Sequence, residues 1–118
     1  MTDPLSNVRE AALDLPESEE RLSHGQPTFF VAGKQFAQFR HNHHNDHKTV
    51  VCVRVSGLDE QAMLLEADPD TYSKPAYLPS WLSINLSGEG VDWAHVADRI
   101  AASWELAAPR RLLEAGGR

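Results

Sequence analysis

Apolar residues recur along this chain with two different periods, and the switches between them give the order of elements. Leu5, Val8, Ala12 and Leu15 fall at helical spacing behind Asp3 and Pro4, a good N-cap and a residue suited to the first helical turn. Pro16 closes that helix, and the acidic residues 17–21 read as a connector. His24-Gly25-Gln26-Pro27 is a turn signature. Two short aromatic segments, 28–32 and 35–40, flank Gly33-Lys34 and predict a β-hairpin. Residues 49–55 predict a third strand, with Thr49, Val51, Val53 and Val55 on one face and Val50 and Cys52 on the other as far as Arg54. A strand apolar on both faces belongs in the middle of its sheet.

Ser56 and Asp59 have the spacing of a capping box, ahead of a helix through Met63, Leu64 and Leu65 that Asp68-Pro69 stops. Residues 70–80 are rich in turn formers, with room for a short strand within 71–77. Trp81, Ser83 and Asn85 then alternate with Leu82, Ile84 and Leu86, which predicts a strand with one wet face. Gly88 and Gly90 make a turn. Asp92 caps a last helix whose stripe is Trp93, Val96, Ile100, Trp104 and Ala107, a set expected to be buried against the sheet. Pro109 ends it. The prediction is an α+β fold of order α-β(3)-α-β(2)-α, an antiparallel sheet with helices on one face. Residues 1–111 form one domain, and 112–118 are expected to be a loose tail.

At 118 residues the chain suits one domain that buries about two-thirds of its unfolded surface, so it needs no disulfide or structural metal. No window approaches the roughly 18 apolar residues of a membrane span, and residues 1–10 lack the pattern of a secretory signal. Cys52 is the only cysteine and lies in an apolar run, as an inert core thiol would. These features lead us to expect a cytoplasmic protein with no membrane partner.

Net charge is −6, unfavourable for docking on a polyanion. The sum hides an asymmetry. Residues 1–24 hold six acids against Arg9 and Arg21, whereas residues 34–54 hold Lys34, Arg40, Lys48 and Arg54 against Asp46 alone. A basic face on an acidic body follows, and those four cations are the candidate phosphate contacts. Next to them, His41, His43, His44 and His47 are candidate ligands for a borderline divalent metal. A polar, solvated hairpin loop explains the same residues more simply, because no cysteine joins them to complete a shell.

Catalytic signatures are missing: there is no P-loop, dinucleotide fingerprint, nucleophile elbow or His-Glu-x-x-His motif. His24 in its turn sets strand entry, and Asp68 and Asp70 flank a helix-stopping proline. Arg110 and Arg111 complement a helix dipole as readily as a phosphate. We expect no catalytic residues, no cofactor and no enzymatic activity.

The order and punctuation of the chain resemble the MmcQ/YjbR family. The resemblance rests on Leu15-Pro16, His24-Gly25 with Pro27 and Phe29, Gly33-Lys34 with Phe36-Ala37, Asp68-Pro69, Pro75 with Tyr77, Trp81, Trp93 with Trp104, and Pro109-Arg110. It implies a fold like that of secretion chaperones. Members are often labelled DNA-binding because the sheet was likened to paired wings, and none of their residues is an established catalyst. The family often sets a glycine-containing loop before its strand tryptophan, where this chain has the shorter Leu78-Pro79-Ser80-Trp81. Three functions stay open: a small binding domain with weak, sequence-independent affinity for DNA; a protein-interaction or homodimerisation module; and a metal-binding protein using the histidine loop.

Overall fold

The computed structural model describes residues 3–42, 47–88 and 90–115. The elements are α1 (Pro4–Leu13), β1 (Ser18–Ser23), β2 (Gln26–Val31), β3 (Lys34–His41), β4 (Thr49–Arg54), α2 (Leu58–Ala67), β5 (Tyr72–Ser73), β6 (Trp81–Asn85), α3 (Trp93–Ala107) and α4 (Arg110–Glu114). The strands form one antiparallel sheet in the order β1-β2-β3-β4-β6-β5. The α+β class and antiparallel sheet are as the sequence predicts, with one strand more than expected.

That strand is β1, which falls on the acidic stretch read as a connector. It pairs with β2 from Ser18 opposite Val31 to Ser23 opposite Gln26. As an edge strand its burial pattern is weak, so period-2 hydrophobicity could not reveal it. Glu20 stands on its helix side, where both carboxylate oxygens accept from Arg9 of α1, at 2.8 and 2.9 Å.

Both tight hairpins use two consecutive left-handed residues. His24 and Gly25 (φ 53° and 77°) join β1 to β2, and Ala32 and Gly33 (φ 49° and 81°) join β2 to β3. Such turns match the right-handed twist of the flanking strands. The second turn is Ala32-Gly33, so Lys34 already belongs to β3. Between β2 and β3 the register slips: Ala37 lies opposite Phe29 and Gln35 opposite Phe30, leaving Phe36 as the extra residue of a bulge.

The helices occupy one face. Phe29, Val31, Ala37, Phe39, Val51, Val53, Leu82 and Ile84 bury that side of the sheet under Val8 and Ala12 of α1 and Val96, Ile100 and Trp104 of α3. Trp104 is wholly buried, and its Nε1–H donates to the Pro16 carbonyl at 3.1 Å. Trp93 packs against the same core but is buried less than expected. It sits in the first turn of α3, only half-buried, in the groove between α1 and α3. Asp92 caps α3 as predicted, accepting from the His95 N–H. The cap of α2 differs: Gly57 is the N-cap, and Glu60 rather than Asp59 reaches back to the Ser56 N–H. The expected loose tail is also corrected, because residues 110–114 are helical and Leu112 joins the core. Arg111 fastens α4 to Glu17 by a two-pronged ion pair at 2.8 and 2.9 Å.

Candidate functional site

Among the described residues no helix covers the other face of the sheet, yet it is not simply wet. Strand alternation sends Arg21, Thr28, Gln38, Cys52, Ser83 and Ser73 to this side as a row across the sheet. Thr28, Gln38, Cys52 and Ser83 are all buried, as is Arg40 one step along β3. The cover includes the 74–80 segment between β5 and β6, in which Pro75 is buried and Ala76 accepts from the Arg40 Nη1–H at 3.0 Å. The wet face predicted for β6 is therefore dry at Trp81 and Ser83.

A directed chain of hydrogen bonds runs through these residues. Thr28 Oγ1–H donates to the Gln26 carbonyl at 3.0 Å. The Gln38 amide nitrogen donates to Thr28 Oγ1 at 3.1 Å and to the Ser23 carbonyl at 3.4 Å. Its other end, Oε1, accepts from Arg40 Nε–H at 2.8 Å. With its amide nitrogen so occupied, Gln38 can only present its oxygen to Arg40. The guanidinium is thereby fixed in position.

Arg40 is only 6% exposed. Both acceptors it meets are neutral, and no carboxylate among the described residues pairs with it. Removing a cation from water without an opposite charge is costly. Arg40 opens onto a recess of about 470 Å³ lined also by Ser23, His24, Gln26, Gln35, Gln38, Tyr77 and Leu78. Neighbouring Cys52 has its thiol pushed up to about 11, chiefly by burial, with Arg40 and a hydrogen bond to Ser83 opposing that rise. It is no nucleophile at neutral pH.

The four candidate cations do not form a continuous strip. Lys34 is exposed at the hairpin end of β3, and Lys48 is exposed beyond the opposite end, where its carbonyl accepts from the Asn42 N–H. Arg40 is buried between them. Arg54 is half-buried, donating from Nε to the Gln35 carbonyl at 2.8 Å and lying 5.1 Å from the Trp81 ring centre. A second cation–ring pair joins β1 to β2, with Arg21 4.3 Å from the Phe30 ring centre.

His41 shares a 2.8 Å hydrogen bond with Thr49 Oγ1, and the His47 N–H donates to Asn42 Oδ1 at 3.0 Å. His43 and His44 lie outside the described residues, among which no group of three metal-ligating side chains occurs. His24 lies in its turn at the rim of the recess, and Asp68 accepts from the Thr71 N–H after ending α2. Gln38 and Thr28 are the site residues that sequence reasoning missed. Gln35 and Gln38, set among Phe36, Ala37 and Phe39 of β3, were the available signal.

The fold has solved counterparts. One is the crystal structure of Deinococcus radiodurans protein DR2400, with a domain described as DUF419. It superposes with a TM-score of 0.73 at 17% identity, over 91% of this chain and 80% of that one. No curated protein matches the sequence. The model of the family described as YjbR matches residues 13–106, which is the whole sheet, α2 and nearly all of α3. The chain belongs to the YjbR family.

Proposed function

We propose that this YjbR-family domain is a non-enzymatic binding module that meets its ligand on the helix-free face of its sheet. The Thr28-Gln38-Arg40 chain is the observation that supports it. A face left to solvent has no need of buried polar groups, and burying them lowers stability unless each finds a partner. Here the polar groups are partnered and held in one arrangement, as a recognition surface requires. The thiol at the centre of the face is protonated at neutral pH, which favours binding over nucleophilic chemistry.

Backbone ¹H–¹⁵N spectra test this, recorded while a concentrated, deproteinised cell extract is titrated into the protein. Shifts should centre on residues 23–40, 50–54 and 76–83, and no extract component should be consumed. Shifts confined to α1 and α3, or turnover of a component, would overturn the proposal.

Weak duplex binding is the second reading, favoured by the Arg21-Phe30 and Arg54-Trp81 pairs on this same face. Interleaved cations and aromatic rings suit phosphates and bases. The candidate contacts become Arg21, Lys34 and Arg54, with buried Arg40 and distant Lys48 set aside.

A further inference from the structure

We propose that the recess over Arg40 binds a small organic molecule through a single carboxylate. The inference rests on the helix-free face being the ligand surface and goes beyond it by naming the anchor and the ligand's chemistry.

Arg40 supplies the charge and the shape. A guanidinium has five N–H donors. Among the described residues two are engaged, by Gln38 Oε1 and the Ala76 carbonyl, so the cation is held in place while donors are left over. Its planar fork matches a carboxylate edge in a way that an ammonium cannot. A carboxylate would also supply the negative charge that the neutral acceptors around Arg40 do not.

The lining limits what else the ligand carries. Among the described residues Arg40 is the one lysine or arginine in the lining, and no acidic residue joins it. One cation balances one negative charge. A phosphate dianion is usually met by more than that, by a second lysine or arginine or the amides of a helix N-terminus, and among the described residues neither lines this recess. Gln26 and Gln35 offer amide groups that can pair with a polar substituent, while Tyr77 and Leu78 provide apolar surface. About 470 Å³ lies within the range of small-ligand pockets.

The test uses the full chain, ¹⁵N-labelled, with three probes: N-acetylglycine, its neutral amide N-acetylglycinamide, and inorganic phosphate. The Arg40 Nε–H and Gln38 side-chain amide resonances are followed. N-acetylglycine should shift both saturably, and the neutral amide should bind at least about tenfold more weakly. Arg40→Lys keeps the charge but loses the fork, and should weaken N-acetylglycine about tenfold. If that variant does not fold, the acid–amide comparison on the natural chain still decides. Equal affinity for acid and amide would overturn the site, as would phosphate binding more tightly than N-acetylglycine. So would shifts at exposed Arg110 as large as those at Arg40. Shifts saturating elsewhere on the helix-free face, with Arg40 silent, would sink this site but leave the recognition surface standing. Shifts restricted to α1 and α3 would sink both.

Discussion

Ser103, in the middle of α3, donates its Oγ–H to the Phe36 carbonyl, the backbone group that the β3 bulge takes out of the ladder. The same oxygen accepts from the Arg54 N–H at 2.8 Å. One buried hydroxyl thus stands in for the missing β3–β4 bond and ties the helical layer to the sheet. It also fixes the backbone beside Gln35, which lines the recess on the opposite face.

Ser103→Ala should therefore cost about 1–3 kcal/mol, the range for leaving buried backbone groups unsatisfied. Urea unfolding reads this as a lower midpoint with an unchanged slope. A midpoint equal to that of the natural chain would show that the bulge satisfies itself.

Trp104 and Trp93 should separate by burial. Trp104→Ala removes a fully buried ring and its bond to the Pro16 carbonyl, so a loss of roughly 3–5 kcal/mol is expected. Trp93→Ala, at a half-buried groove position, should cost clearly less. Equal thermal destabilisation of the two variants would contradict their different places on α3.

The contrast between these tryptophans shows what the sequence makes legible. Helical periodicity places Trp93, Val96, Ile100 and Trp104 on one stripe, and the cap at Asp92 marks where it starts. Periodicity carries no depth, however, and the start of α3 is covered less than the turns that follow it. The same limit hid β1, whose Ser18–Ser23 sequence alternates too little to distinguish an edge strand from a connector. It also gave no sign that Arg40 is buried. A polar residue on a strand reads as solvent-facing, and only the return of a segment about 36 positions later, bonded through Ala76, buries it. Family resemblance was the more informative signal for the fold because it summed many weak punctuation marks across such long separations.

Cys52 gives a pH prediction. Its folded value of about 11 lies above its ordinary value of 9.0, so the protonated thiol favours the folded state. The resulting stability is complete below about pH 9 and fades as pH rises through about 11. At 1.36 kcal/mol per unit the loss is about 2–3 kcal/mol, and Cys52→Ala should flatten that limb of the profile. At pH 8 the thiol should react with an aromatic disulfide reagent only after denaturant is added. Prompt reaction in the native state would refute its burial.

The histidine loop should bind zinc only weakly. A ligand present at 100 times its dissociation constant, binding the folded state alone, adds about 2.7 kcal/mol. Melting in low-micromolar zinc should show far less than that. A large rise in melting temperature, abolished by replacing His43 and His47, would establish a real metal site.

Duplex DNA tests whether the family label extends to this chain. Arg21, Lys34 and Arg54 give at most a few phosphate contacts, on a body whose net charge of −6 repels the polyanion at long range. Arg21 is also shared with Glu19 at 3.2 Å, and Arg54 with the Gln35 carbonyl, so each would have to leave a partner to reach a phosphate. Every contact contributes about −0.9 to the slope of log affinity against log salt. Fluorescence anisotropy with a random duplex should therefore give weak binding, indifferent to sequence, with a slope shallower than about −4. Arg21→Gln should reduce that slope by about one contact, whereas Lys48→Gln, at the far end of β3, should leave it unchanged. Tight and sequence-selective binding at physiological salt would defeat this expectation, because it would need a basic surface larger than the described residues assemble. Complete absence of binding at low salt would remove the duplex from consideration and leave the Arg40 recess as the surface to pursue.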